Sequence, residues 1–160
     1  MRILGIDPGL NITGYGLIEG SGLKINLIEA GFIRTTSKDN TSVRLERIYR
    51  SLNKLIDNVK PEVLVLEKLY SHWRHPTTAY VLGQARGIIC LAAQQNHIPI
   101  VEYPATRIKK SVLGKGQASK LQIQRMIQNL FSLKALPKPP DIADALALAV
   151  GHSYMSLKKI

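Results

Sequence analysis

Val63-Leu64-Val65-Leu66-Glu67 sets four aliphatic residues in a row and closes them with an acid. A continuous apolar run of this kind, just after Pro61, is the signature of a strand buried on both faces, as in a parallel sheet. Toward the N-terminus, Leu45, Ile48, Tyr49, Leu52, Leu55, Ile56 and Val59 recur at helical spacing. Asp39-Asn40-Thr41-Ser42 offers N-cap candidates for that helix, and Pro61 is its expected stop. Ahead of it, Ile3 to Asp7, Asn11 to Glu19 and Leu23 to Thr35 read as strands, with turns at Asp7-Pro8-Gly9 and Glu19-Gly20-Ser21-Gly22. Such short connections make these three an antiparallel meander. Toward the C-terminus, Thr77 to Asn96 is expected to be a helix, apolar on most of its circumference. Gly83 and Gly87 lie four apart in it, a spacing that allows close helix approach within the fold or across a dimer. A strand at Ile98 to Val101 follows, then helices at about 105–113 and 118–131 around Gly114-Lys115-Gly116. A last helix runs from Asp141 to about Met155, after Pro137, Pro139 and Pro140. The order βββ-α-β-α-β-α-α-α predicts an α/β fold: a mixed five-stranded sheet, antiparallel first and parallel afterwards, flanked by helices.

The 160 residues are 45% hydrophobic and 21% charged, which suits one folded domain over residues 1–160 rather than a disordered chain. The longest aliphatic run, Ile88 to Ala93, is far shorter than the ~20 residues that span a bilayer, so no membrane association is expected. The opening Met1-Arg2-Ile3-Leu4-Gly5-Ile6-Asp7 reaches an acid before a signal-peptide stretch develops. Cys90 is the single cysteine, which leaves no disulfide within one chain. A cytoplasmic protein is the expectation. Its charge is uneven. Lys68, Arg74, Arg86, Arg107, Lys109, Lys110, Lys115, Lys120, Arg125, Lys134 and Lys138 face a single acid, Glu102, between residues 68 and 140. That stretch carries +10 of the total +11. A field so concentrated points to a polyanion, with nucleic acid the default partner, or else to a solvated basic surface.

Against this background four of the eleven acids are conspicuous. Asp7 ends the first strand and Glu67 the buried one; sites in sheets with parallel strands form at those carboxyl ends. Asp141 and Asp144 lie three apart in the first turn of the last helix, where the dipole and free N–H groups favour carboxylates. Each has a plainer reading. Asp7 before Pro-Gly is also a turn initiator, and Asp141 after two prolines is also an N-cap. Glu67 after four aliphatics and Asp144 among Ile142, Ala143, Ala145, Leu146 and Ala147 are costly unless paired or metal-bound. If the four converge, like charges ~4 Å apart repel by about 1 kcal/mol in water and about 4 at an effective dielectric of 20, so a cation is required. Oxygen ligands without cysteine select Mg²⁺ or Mn²⁺. Two such ions can activate a water and stabilise the leaving oxygen of a phosphoryl displacement. Metal-binding carboxylates beside a strongly basic stretch describe a nuclease.

The residues also carry a resemblance. Gly5-Ile6-Asp7-Pro8-Gly9 with Thr13-Gly14-Tyr15-Gly16, Glu67 after its strand, and Leu82-Gly83-Gln84-Ala85-Arg86-Gly87 resemble the bacterial RuvC family of Holliday-junction resolvases. So do Glu102-Tyr103-Pro104 and Asp141-Ile142-Ala143-Asp144-Ala145-Leu146-Ala147. The likeness runs in order over about residues 1–155. It implies an RNase H-like fold, a homodimer, and Mg²⁺-dependent paired nicking of four-way DNA junctions, with Mn²⁺ as a substitute and two ions per site. A branch-migration complex of the RuvA–RuvB type would be a further partner. By position, Asp7, Glu67, Asp141 and Asp144 match the family's catalytic carboxylates. Lys109 and Lys120 match its DNA-contacting lysines, Lys120 near the scissile phosphate. Tyr70 stands where the family usually has a Phe that stacks on junction bases, and a Tyr can stack too. Arg74, Lys110 and Lys115 are further expected DNA contacts. The segment Ser71-His72-Trp73-Arg74-His75-Pro76 departs from the family's usual small polar stretch. Trp73 is read as either a core anchor or a junction contact, and His152 as a packing residue.

Two other readings remain. One is a different RNase H-like nuclease acting on RNA-containing duplexes. The other is a non-catalytic, basic, dimeric junction binder whose acids are caps and ion pairs. Sugar kinases and actin-like ATPases also open with Asp-x-Gly but need a second lobe. No Walker A or dinucleotide-binding glycine pattern is present, since Gly14, Gly16 and Gly20 fall in a hairpin.

Overall fold

A computed structural model of the protein describes residues 1–69 and 76–157. Three strands come first, β1 (Arg2–Asp7), β2 (Ile12–Ser21) and β3 (Lys24–Arg34), followed by α1 (Thr41–Val59) and β4 (Val63–Glu67). Then come α2 (Pro76–Gln95), β5 (Ile100–Tyr103), α3 (Ala105–Leu113), α4 (Lys120–Leu130) and α5 (Pro140–Ser156). The five strands form one sheet in the order β3-β2-β1-β4-β5. β1 pairs antiparallel with β2, and β2 with β3; β1–β4 and β4–β5 are parallel. The expected mixed sheet is therefore what forms. Among the described residues no helix is long and apolar enough to cross a membrane.

Alternation along the strands divides the core into two layers. Leu4, Ile6, Leu17, Leu64 and Leu66 pack with α1 and α2 on one face. Ile3, Ile18, Val63 and Val65 pack with α3, α4 and α5 on the other. The same period of two carries on to the strand ends. Asp7 shares a face with Ile3, and Glu67 with Val63 and Val65, so both carboxylates are directed toward the α5 side. The β1–β4 register pairs Ile6 with Leu66, which leaves Asp7 and Glu67 as neighbouring strand ends.

Two glycines let α5 descend onto that face. A Cβ on Gly5 would stand 2.0 Å from the Ala145 carbonyl oxygen, and one on Gly14 would stand 2.2 Å from that of Asp141. Gly14 is also the cross-strand partner of Asp7. The missing side chain at Gly14 is thus the space into which the first turn of α5 brings Asp141.

Several boundaries differ from the sequence expectation. The fifth strand begins at Ile100 rather than Ile98, because the Ile98 N–H closes the end of α2 on the Ala93 carbonyl at 2.9 Å. His97 adopts a left-handed φ of 55° there. The strand therefore runs on to Tyr103, which pairs with Glu67. α1 stops at Val59, one turn-forming residue before Pro61: Lys60 takes a left-handed φ of 46° and its N–H bonds the Ile56 carbonyl. Asp141 is not the N-cap of α5. Pro139 holds that position and Pro140 the first helical one, so the Asp141 carboxylate makes no capping bond. In α2 only Ala85, Ile89, Ala92 and Ala93 are buried, while Tyr80 and Leu91 are exposed. No described atom lies within 4 Å of a Cβ built on Gly83 or Gly87, so these glycines do not serve a close approach inside the fold.

These two settings predict opposite signs for the same substitution. Gly5→Ala should destabilise the protein by about 1–3 kcal/mol, since a backbone carbonyl blocks the methyl and cannot rotate away. Gly83→Ala should stabilise by about 0.5–1 kcal/mol through helix propensity alone. Urea denaturation of both variants checks this, and a stabilising Gly5→Ala would contradict the close approach of α5.

Candidate active site

Asp7, Glu67 and Asp144 line one cavity of about 280 Å³, together with Lys109 and Lys120. Its apolar wall is Ala105, Ile108, Ile123, Ala147 and Leu148. Five elements contribute: β1 and β4 by their carboxyl ends, α5 by its second turn, and α3 and α4 by one lysine each. Lys120 is fixed as the first residue of α4 by a capping box. The Ser119 hydroxyl accepts from the Gln122 N–H at 3.2 Å, and the Gln122 side chain accepts from the Ser119 N–H at 2.9 Å. Gln124 then ties α4 to the approach of α5, donating to the Pro137 carbonyl at 2.8 Å. Asp141 lines a second cavity, with Gly9, Asn11 and Thr77.

The electrostatics show how tightly the acids are coupled. Burial, followed by the charges of Asp144, Asp141 and Glu67, pushes the Asp7 carboxyl up to about 7, with Lys120 pulling the other way. Glu67 is raised by burial and Asp144, and held back by Lys109 and Arg86. Asp144 is raised by burial, with Lys120 and Lys109 opposing and Asp141 adding to the rise. Asp7 therefore senses all three of the other expected carboxylates. Among the described residues no three His, Cys, Asp or Glu side chains close around a single point as a finished ligand cage. The donor set still fits a divalent cation: it is all hard oxygen, and a bound cation would relieve the mutual repulsion that, after burial, raises Asp7 above an ordinary aspartate.

The remaining expected residues divide. Lys109 and Lys120 reach the carboxylate cavity. Lys110 does not; it lines a separate cavity on the far side of α3 with Tyr103, Arg107, Ser111 and His152. Lys115 is exposed in the connection between α3 and α4. Tyr70 and Arg74, like Trp73, lie outside the described residues. His152 packs, as expected: it is buried, and its Nδ1 shares a hydrogen bond with the Tyr103 hydroxyl at 2.9 Å. Arg86 was given no role by sequence reasoning, yet its guanidinium donates to the Glu67 main-chain carbonyl at 2.8 Å. Its place in the Leu82–Gly87 motif of the family likeness was the sequence signal for it.

The family model of the crossover junction endodeoxyribonuclease RuvC matches residues 3–152. The chain belongs to the RuvC family. It is 46% identical over 152 residues to the RuvC of Pseudothermotoga lettingae, covering 95% of this chain and 93% of that one. It is 43% identical over 157 residues to the RuvC of Caldicellulosiruptor saccharolyticus, covering 98% and 94%. Among solved structures it superposes on Thermus thermophilus RuvC in complex with a Holliday junction substrate with a TM-score of 0.90. That match has 29% identity and covers 98% of this chain and 94% of the other. The RuvC fold is RNase H-like, and the sheet order and helix layers found in this chain are its own version of it.

The raised Asp7 pKa makes a prediction about metal-free protein. The folded state holds the Asp7 proton more tightly than the unfolded chain does. This contribution to stability is complete below the unfolded value near 3.8 and is lost as pH rises toward 7. Asp7→Asn cannot ionise, so in the presence of a chelator it should raise Tm at about pH 8. The gain should shrink toward about pH 4.5, where the wild-type group is largely protonated in the folded state. Thermal melts at the two ends check this; an equal gain at both would mean that ionisation of Asp7 is not the cause.

Proposed function

We propose that this RuvC-family chain is a Holliday-junction resolvase: a homodimeric endonuclease that nicks four-way DNA junctions symmetrically, with Mg²⁺ as its cofactor and Mn²⁺ as a substitute. The observation that carries this reading is the Asp7 carboxyl, pushed up to about 7 by burial and then by the charges of Asp144, Asp141 and Glu67, in a cavity lined also by Lys109 and Lys120. Asp7, Glu67, Asp141 and Asp144 would hold the metal, two ions per site. Bound there, divalent ions supply an activated water and stabilise the leaving oxygen of the cleaved phosphodiester. The chain's own residues do the rest. Lys109 and Lys120 bring positive charge to the rim, where a backbone phosphate is drawn toward the acids and part of their repulsion is offset. The apolar wall of Ala105, Ile108, Ile123, Ala147 and Leu148 limits water behind the carboxylates and strengthens each charge interaction inside. Tyr70 and Arg74, with Lys110 and Lys115, extend the DNA contact over the basic stretch. The whole of residues 1–160 acts as one nuclease unit in the cytoplasm, downstream of a RuvA–RuvB-type branch-migration complex.

Two symmetric cuts need two symmetry-related sites, and α2 is the face proposed for the two-fold contact. Tyr80 and Leu91 are exposed on it, and Gly83 and Gly87 have open space where a Cβ would stand. Gly83→Leu or Gly87→Leu should weaken the dimer, as read by sedimentation equilibrium; unchanged dimerisation in both variants would move the interface elsewhere.

Asp7→Asn, Glu67→Gln, Asp141→Asn and Asp144→Asn each keep shape and remove charge. Each should reduce nicking of a labelled synthetic four-way junction by at least ~10²-fold in Mg²⁺. Junction binding without metal should persist or tighten, because a charge facing the phosphates has gone. Variants that melt early yet nick at near wild-type rates would overturn the assignment of these acids.

A further inference from the structure

Two of the motifs noted in the sequence, Leu82-Gly83-Gln84-Ala85-Arg86-Gly87 and Glu102-Tyr103-Pro104, contribute no side chain to the carboxylate cavity. They meet each other instead. Arg86 extends from α2, on the opposite layer of the sheet from α5, to the ends of β4 and β5. Its Nη1 donates to the main-chain carbonyl of Glu67 at 2.8 Å, and its Nη2 pairs with Glu102 Oε1. The Arg86 side chain is only 14% exposed, whereas that of Glu102 is 42% exposed, so the arginine is largely covered while its carboxylate partner reaches solvent. Glu102 is the one acid in the basic stretch from residue 68 to 140. It lies on β5 opposite Leu66, with Tyr103 opposite Glu67.

Glu67 is the last residue of β4, and the acids it faces repel it. A strand end under that load needs an anchor if its carboxylate is to stay in place. The planar guanidinium suits this task, since its fork can serve a carbonyl and a carboxylate together where an ammonium offers a single point charge. We propose that Arg86 is a positioning residue for the nuclease reaction: held by Glu102, it clamps the Glu67 carbonyl and so fixes the Glu67 carboxylate relative to Asp7 and Asp144. This rests on the functional reading above. Displacements of about 1 Å in a catalytic constellation can reduce rate by ~10²-fold, which sets the scale of effect.

The test compares Arg86→Gln, Arg86→Lys, Glu102→Gln and the Arg86→Gln/Glu102→Gln double variant, at a temperature where circular dichroism shows each fully folded. Three quantities are read: single-turnover nicking at saturating Mg²⁺, junction Kd without metal, and Mn²⁺ affinity of the DNA-free protein by isothermal titration. Arg86→Gln should nick roughly 30- to 100-fold more slowly and bind Mn²⁺ several-fold more weakly, with junction Kd within about twofold of wild type. Glu102→Gln keeps an acceptor and should lose only about threefold; Arg86→Lys should fall between. The double variant should be no slower than Arg86→Gln, because Glu102 acts only through the arginine. A merely structural ion pair predicts a lower Tm with normal nicking and Mn²⁺ binding in the folded protein, and that result, or additive losses in the double variant, would overturn the clamp. If Arg86→Gln does not fold, Arg86→Lys and Glu102→Gln decide by the same readouts. Wild-type protein that binds Mn²⁺ but nicks nothing would refute the functional reading instead, leaving the clamp to be judged on Mn²⁺ affinity.

Discussion

The seating of α5 on the sheet is the constraint from which the rest of the structure follows. At Gly5 and Gly14 the helix backbone occupies volume that any side chain would fill. Because Gly14 is paired with Asp7, the same contact that packs the helix also brings Asp141 and Asp144 over the ends of β1 and β4. Packing and chemistry are therefore set by one interface. The helix itself helps: Ala143, Ala145, Ala147 and Ala149 are all buried and small, so they allow a close fit. Larger residues there would lift the carboxylates away from the strand ends they face.

Bringing four acids together opposes folding, and the surrounding structure is arranged to withstand it. Desolvation contributes most to the rise at Asp7, Glu67 and Asp144, with mutual repulsion added to it. The lysines that offset this sit on separate helices, each placed by its own local device. Lys120 follows a capping box, and Lys109 lies on α3, which ends at Gly114 in a left-handed conformation. The aliphatic core beneath, buried on both faces of β1 and β4, carries the load that the charged end imposes. A stability surplus in the middle of the sheet sustains a deficit at its rim.

Much of this was legible in the chain. The run Val63–Leu66 pointed to a buried parallel strand because it is short and lies between Pro61 and an acid, which leaves too little length for a buried helix. The acids stood out because an ionised group directly after such a run demands a partner. Spacing placed Asp141 and Asp144 on one turn, and the basic stretch pointed to phosphate. What the sequence concealed depended on contacts between distant segments. The strand start at Ile100 was decided by how α2 ends, at His97 and Ile98. The cap of α5 fell to Pro139, since two successive prolines shift the first helical residue ahead of Asp141. Arg86 was read as one cation among eleven and as part of a family motif without a role, because its partners, the Glu67 carbonyl and Glu102, come from two other strands. Lys110 was legible as basic, but which of the adjacent Lys109 and Lys110, about 100° apart around α3, meets the acids depends on how the helix is docked.

The alternation that aims Asp7 and Glu67 at the same face has an evolutionary reading. Along β1 and β4 the acids reach α5 because each lies an even number of positions along its strand from the inward-facing Ile3 or Val63. One inserted or deleted residue within either strand would turn its carboxylate toward the α1 and α2 layer, away from Asp144, Lys109 and Lys120. The same geometry tolerates exchange of one aliphatic for another in these strands far better than a change in their length. A chain that keeps 29% identity with Thermus thermophilus RuvC and still superposes at a TM-score of 0.90 is what that asymmetry between substitution and insertion produces.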